Sequence, residues 1–235
     1  MVRRRKRKLG WVAIVSAIGL IAGVVALLRH REEQRSLLPQ DCKLGPTSPG
    51  IDVSYYQGDI SWPRVARAGV KFAFIRAADG TDIIDTQFVA NWRGARAAKI
   101  PRGAYQYFRA NVSPIDQADV LIKMLRTYGA GEMPPVIDVE DPLGLPLATV
   151  AANAKLWIDR VRSELHVEPI VYTGPGMWGL RGAPELATQD LWVAHWTQGC
   201  PVTPPPWTKW KLWQYSDNGR IDGISGPVDL DVLAR

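Results

Sequence analysis

Between Gly50 and Thr173, short β-rich runs alternate with helix-patterned stretches, and no other feature restricts the possible folds as strongly. The runs Gly50–Val53, Lys71–Ala77, Gly103–Phe108, Pro135–Glu140 and Pro169–Thr173 carry the β-branched and aromatic residues of strands. Between them, Phe88, Trp92 and Ala95 fall on one helical face. Ile115, Ala118, Ile122 and Leu125 do so after a Ser113-Pro114 start, and Val150, Ala154, Trp157, Val161 and Leu165 after Thr149. Repeated strand-then-helix order predicts parallel strands joined by crossover helices. After Thr173 the pattern changes. Asp190–Trp196, Lys211–Tyr215 and Val228–Asp231 still read as strands, but Gly and Pro crowd the connections and no long helix fits between them. Eight strands are what a closed barrel needs, although about 190 residues is short against the ~250 of a full (β/α)8 barrel. The predicted fold class is therefore α/β, an irregular TIM-like (β/α)5β3 barrel whose last helices are lost. An open doubly wound sheet is the alternative, and it gives no reason for three terminal strands without helices.

The barrel is not the whole chain. Arg3, Arg4, Arg5, Lys6, Arg7 and Lys8 form a basic run, and Trp11–Leu28 follows without a charge, extended by Leu9 and Gly10. At 1.5 Å per residue this stretch spans the roughly 30 Å hydrocarbon core of a bilayer. It is longer than the apolar region of a cleavable signal peptide, and Leu27-Leu28-Arg29-His30-Arg31 offers no small-x-small cleavage site. The expected organisation is a basic cytoplasmic tail at 1–8, a transmembrane helix at 9–28, a linker at 29–47 and the barrel at 48–235. Positive charge before the span places the N-terminus in the cytoplasm and the barrel periplasmic or extracellular, tethered to the membrane. The small residues Ala13, Ser16, Ala17, Gly19, Ala22, Gly23 and Ala26 leave open a signal-arrest-release segment that later quits the bilayer.

The formal net charge of +6 comes from 29 basic and 23 acidic residues. The six cations of the basic run account for all of that excess, so the remainder is neutral and lacks the footprint of a nucleic-acid binder. Cys42 and Cys200 are the two cysteines. Outside the cytoplasm they either close a disulfide or stay as two thiols, and their spacing does not choose.

Chemistry concentrates in Met133-Pro134-Pro135-Val136-Ile137-Asp138-Val139-Glu140-Asp141-Pro142. Strand side chains alternate, so Asp138 and Glu140 point one way while Ile137 and Val139 point the other. If the apolar pair packs against helices, the acids face the barrel mouth, where mutual repulsion raises at least one pKa toward that of a general acid. A bare D-x-E is equally a solvated strand end with Asp141 capping a helix. Asp52 ends the first strand and Asp229 lies in the last, and a closed barrel makes those strands neighbours. Four carboxylates then converge on one mouth.

Aromatic residues crowd the same region. Trp192, Trp196, Trp207, Trp210 and Trp213 fall close together, while Tyr55, Tyr56, Tyr105, Tyr107, Tyr172 and Tyr215 lie in or beside strand ends. Aromatic faces stack on the C–H surfaces of sugars, and Tyr and Trp keep a donor for hydroxyls. Other chemistries have little support. His30, His166 and His195 have no ligand spacing, no G-x-S-x-G elbow occurs, and Gly174-Pro175-Gly176 is not followed by G-K-[ST]. Neither a metal nor an organic cofactor is expected.

Six blocks in order carry a resemblance: Gly50-Ile51-Asp52-Val53-Ser54-Tyr55-Tyr56-Gln57-Gly58, Lys71–Ala77, Gly103-Ala104-Tyr105-Gln106-Tyr107-Phe108, Pro134–Glu140, Leu191-Trp192-Val193-Ala194 and Trp213-Gln214-Tyr215-Ser216. From about Ser48 onward the chain resembles the glycoside hydrolase family 25 lysozymes, muramidases of the Chalaropsis type. The resemblance implies a flattened barrel, and cleavage of the peptidoglycan glycan strand after N-acetylmuramic acid; the chain is expected to act as a monomer. It implies Glu140 as proton donor, Asp138 as the acid assisting the 2-acetamido group or, alternatively, as nucleophile, and Asp52 and Asp229 as further acids. Tyr105, Tyr107, Tyr172 and Trp192 are implied to line the saccharide groove, and Tyr56 and Trp213 join them as aromatic candidates. Gln106 stands where His is common, Trp196 where Tyr is frequent, and Asp231 where Asn usually follows the last acid. A non-catalytic peptidoglycan-binding module tethered to the membrane is the alternative function.

Overall fold

The computed structural model describes Gly23, Val24, residues 42–179 and residues 181–235. The expected tail, the remainder of the span at 9–28 and residues 29–41 of the linker lie outside the described residues. Contacts divide the chain into Met1–Gln40 and Asp41–Arg235, and the second unit holds the barrel. Its strands are β1 (Thr47–Val53), β2 (Phe72–Asp79), β3 (Ile83–Ile84), β4 (Arg102–Tyr107), β5 (Val136–Asp138), β6 (Ile170–Thr173), β7 (Leu191–Ala194), β8 (Leu212–Gly219) and β9 (Val228–Ala234). Its α-helices are α1 (Trp62–Arg67), α2 (Phe88–Ala97), α3 (Pro114–Tyr128) and α4 (Leu147–Leu165).

The sheet runs β1-β9-β8-β7-β6-β5-β4-β2-β3, and pairing of β1 with β2 closes eight of these strands into a barrel. Successive pairs from β1–β2 through β7–β8 are parallel, with β3 added to β2 as a hairpin. The last strand departs from the parallel expectation, since β9 is antiparallel to both β8 and β1. Only residues 220–227 join β8 to β9, fewer than the dozen or so a parallel crossover needs. The fifth crossover also departs from the (β/α)5β3 form. Between β6 and β7 among the described residues there is a 3-10 turn, Pro184–Leu186, and no α-helix.

The expected helical faces turn inward. Phe88, Trp92 and Ala95 are buried on α2, and Val150, Ala154, Trp157 and Val161 on α4. On α3, Ala118, Ile122 and Leu125 are buried, but Ile115 in the first turn is exposed. Ser113 caps α3 by accepting a hydrogen bond from Asp116 N, and Pro114 needs no such partner at the first helical position. Helix α1 was not anticipated. It begins on Trp62-Pro63 and has only 6 residues, too short for an amphipathic period to stand out.

Alternation along each strand sorts the outer core from the barrel interior. Ala73 and Ile75 on β2, and Ile137 on β5, are buried on the side facing the helices. Phe72, Phe74, Val136, Ile170, Tyr172, Trp192 and Leu212 pack together inside. Two glycines make room for the phenylalanines, because a Cβ at Gly50 would enter the Phe72 ring and one at Gly103 the Phe74 ring. The domain begins earlier than Ser48. Strand β1 starts at Thr47, Arg235 N donates to Pro46 O at 3.1 Å, and Cys42 is bonded to Cys200 in a disulfide.

Candidate active site

The C-terminal ends of the parallel strands surround one cleft, lined by Asp52, Asp138, Glu140 and Asp229 together with Arg76, Tyr56, Tyr105, Tyr107, Tyr172, Trp192 and Gln214. Asp52 and Asp229 are directly opposed across the β1–β9 seam. The four acids predicted from distant stretches of sequence therefore meet.

The Asp138–Glu140 pair is arranged less symmetrically than strand alternation alone predicts. Strand β5 stops at Asp138, whose side chain is buried, while Glu140 lies two residues beyond and is exposed. Val139 N still donates to Tyr172 O at 2.9 Å, so the backbone stays aligned for one more residue before the turn at Asp141-Pro142. Asp141 does not cap a helix. Its carboxylate accepts from Leu143 N at 2.8 Å and holds the turn.

Burial pushes Asp138 well above the ordinary carboxylate range, and the charge of Glu140, within hydrogen-bonding reach, pushes it further. Repulsion was expected to raise one of the pair, and here burial is the larger cause. Arg76 opposes the rise. Among the described residues lining the cleft Arg76 is the only cation, and Asp85 fixes it by accepting from Arg76 Nε at 2.9 Å. Asp138 Oδ1 is buried and accepts no hydrogen bond.

Across the cleft, burial followed by the charges of Asp229 and Asp231 holds Asp52 well above its usual range. Asp229 is less enclosed, and burial raises it to about 6. Asp231, one strand period further along β9, is fully buried, with Trp192 Nε1 donating to it at 2.9 Å, and burial raises it as well. Gln214 ties this group to the aromatic wall. Its Nε2 donates to Asp52 Oδ2 at 2.8 Å, and its Oε1 accepts from Tyr172 OH at 2.9 Å and Trp196 Nε1 at 3.0 Å.

Tyr105, Tyr107, Tyr172, Trp192 and Tyr56 all border the cleft. Tyr172 and Trp192 are largely buried walls, whereas Tyr56 is 73% exposed at the rim. Tyr107 lies under the Arg109 guanidinium at 4.6 Å, and burial followed by the charges of Glu140 and Asp138 pushes its phenol up to about 12. Trp213 must be corrected. It is fully buried on the face of β8 opposite to Gln214, donates to His195 O at 2.8 Å and packs with Trp210 and Tyr215. Val53, Ser54 and Gln57 also line the cleft without having been expected there, and the polar side chains missed within its strands were Arg76 and Gln214. Both sit at even spacing from inward apolar residues, Phe74 and Leu212, and that period was the available signal.

A barrel whose mouth gathers carboxylates of contrasting exposure between aromatic walls has the equipment of a glycoside hydrolase. The family model described as "Glycosyl hydrolases family 25" matches residues 51–224. The uncharacterized protein YegX of Escherichia coli strain K12 is 36% identical over 192 residues, covering 80% of this chain and 70% of that protein. Lysozyme M1 of Streptomyces globisporus is 34% identical over 211 residues, covering 81% and 70%. The crystal structure of a bacterial lysozyme from Streptomyces coelicolor superposes with a TM-score of 0.72 at 32% identity, covering 79% of this chain and 91% of that one. The chain belongs to glycosyl hydrolase family 25.

Proposed function

We propose that this chain is a peptidoglycan muramidase that hydrolyses the β-1,4 bond between N-acetylmuramic acid and N-acetylglucosamine. The observation that carries this reading is the convergence of Asp52, Asp138, Glu140 and Asp229 in one cleft. Family membership and the lysozyme relatives support it.

In the free site, burial favours the neutral form of Asp138, whose Oδ1 is without a donor. An acetamido N–H reaching Asp138 favours its ionised form. The displaced proton passes to Glu140, which lies within hydrogen-bonding reach. Glu140 then acts as general acid toward the glycosidic oxygen. With both carboxyls at one strand end, neither supplies a nucleophile to the far face of the sugar ring. The substrate's acetamido oxygen attacks the anomeric carbon instead, the C–O bond to the leaving sugar breaks as Glu140 delivers its proton, and water then opens the resulting oxazolinium with Glu140 as base. Asp229, less enclosed than Asp52, and ionised Asp138 balance positive charge on that intermediate, Asp52 accepts from Gln214 beside them, and Tyr56, Tyr105, Tyr107, Tyr172 and Trp192 form the groove.

The basic run at 3–8 and the uncharged stretch that follows support a membrane-tethered chain with its N-terminus cytoplasmic and its barrel facing the cell wall. The Cys42–Cys200 disulfide suits an oxidising compartment. Recovery of the full-length chain in the soluble fraction would replace the permanent anchor with a released one.

Glu140→Gln tests the catalytic assignment. The variant is expected to fold and bind purified peptidoglycan as the parent does, while releasing reducing ends at least about 100-fold more slowly. Undiminished turnover would remove Glu140 from its role. A parent chain that binds the wall but liberates no muropeptides would favour the non-catalytic module.

A further inference from the structure

The neutral charge sum of the barrel hides a separation. Acids gather in the cleft at the C-terminal ends of the parallel strands, and cations gather at the opposite end. Strands β1, β2, β4 and β8 begin at that end, and antiparallel β9 finishes there. Lys43 precedes β1, Lys71 precedes β2, Lys99 lies in the turn before β4, Lys209 and Lys211 lead into β8, and Arg235 follows β9; all are exposed. Backbone bonds hold them close: Lys71 N donates to Pro49 O at 2.9 Å, Ala234 N to Lys211 O at 3.0 Å and Arg235 N to Pro46 O at 3.1 Å. The neighbouring strands β8-β9-β1-β2-β4 spread the set over about 20 Å. Arg67 and Arg96 add to it from the last turns of α1 and α2, where a cation also meets the helix dipole; the lysines have no such local reason. Residues 42–50, 66–72, 96–102, 208–212 and 233–235 contain no acidic side chain. Glu132, at the edge of the patch, accepts from Arg102 N. Around the rest of this end the charges cancel, because Arg126 pairs with Glu164, and Arg162 with Asp159 and Glu168.

We propose that this basic end docks on an anionic lipid bilayer and so turns the cleft away from the membrane. The proposal rests on the membrane tether and adds a second contact to it. Where the chain enters the barrel selects the partner. The disulfide to Cys200 fixes Cys42 to the barrel, and Lys43 follows it directly. Residues 29–41 separate that point from the uncharged stretch, and they reach at most roughly 45 Å when fully extended. A tether of that length confines the basic end near the headgroups, so weak contacts there act at high effective concentration. The shape of the patch agrees. Its cations come from five strands and lie side by side without converging, which suits many phosphates on a plane better than one small anion. Because the body is neutral as a whole, attraction of the basic end and repulsion of the acidic mouth orient it without drawing the whole barrel onto the surface.

The test is lysine footprinting of the full-length chain in lipid nanodiscs, either of phosphatidylcholine alone or with about 30% phosphatidylglycerol. Acetylation by an N-hydroxysuccinimide ester is followed residue by residue with mass spectrometry. Lys43, Lys71, Lys99, Lys209 and Lys211 are expected to react at least about threefold more slowly in the anionic discs, and about 0.5 M salt is expected to erase the difference. Lys123 on α3 and Lys155 on α4 lie outside the patch and are expected to react equally in both discs. Reversing Lys71, Lys99 and Lys211 together to Glu is expected to bring Lys43 and Lys209 in anionic discs up to their rate in neutral ones. Equal rates for the parent in the two kinds of disc overturn the proposal, as does protection that survives the reversals. Protection that appears only when soluble poly(glycerol phosphate) is added also overturns it, and assigns the patch to a wall polyanion. A chain that stays out of the discs altogether removes the tether and the proposal with it, an outcome distinct from equal reactivity in a disc-bound chain.

Discussion

Asp229 shows what a single carboxyl costs this barrel. Burial raises it from the ordinary 3.8 to about 6, so across that interval the folded chain holds a proton that the unfolded chain has released. Stability therefore falls as pH climbs through the interval and stays lowered above it. Asp229→Asn removes that loss, and the variant is expected to gain about 2 kcal/mol relative to the parent at pH 7 compared with pH 3.5, after allowance for solvent screening. Denaturant titrations at the two pH values check this, and an equal offset at both would contradict it. At the residue scale the four acids were legible because alternation fixes their faces and barrel closure brings the terminal strands together. Trp213 was not, because aromatic content alone says nothing about which face a residue occupies, and Gln214 beside it holds the inward position. Gln106 illustrates the same point. It is fully buried, donates to Gly80 O and accepts from Trp157 Nε1, so it joins β4 to α4 and has no part in the cleft.

At the scale of elements, strands β2 and β4 are matched in size. Phe74 fills the interior where Gly103 has no side chain, and a Cβ there would also approach Pro134 O to 2.9 Å. Gly103→Ala is therefore expected to lower stability by about 1–3 kcal/mol through overpacking, read as a lower thermal midpoint. Little or no change would mean that the interior has slack. The first five barrel strands were readable because helices with a clear apolar face separate most of them. The reversal of β9 was readable in principle from its short connection to β8, but the terminal runs were judged by composition alone. The hairpin strand β3 has 2 residues and the helix α1 has 6, and neither is long enough to display a period.

For the whole molecule, the disulfide joins residues 158 positions apart, tying the approach to β1 to the loop between β7 and β8. Cross-linking so distant a pair reduces the freedom of the unfolded chain, a contribution on the order of 2–4 kcal/mol. The cysteines had left this pairing open, since spacing carries no information about approach in space. A muramidase barrel uses its gathered carboxyls to cut glycan on one side of a particular sugar. The most direct measurement is to digest purified peptidoglycan with the full-length chain, reduce the new ends with borohydride and identify the sugar alcohol by mass spectrometry. New ends of N-acetylmuramic acid are expected, and ends of N-acetylglucosamine, or no new ends, would overturn the muramidase assignment.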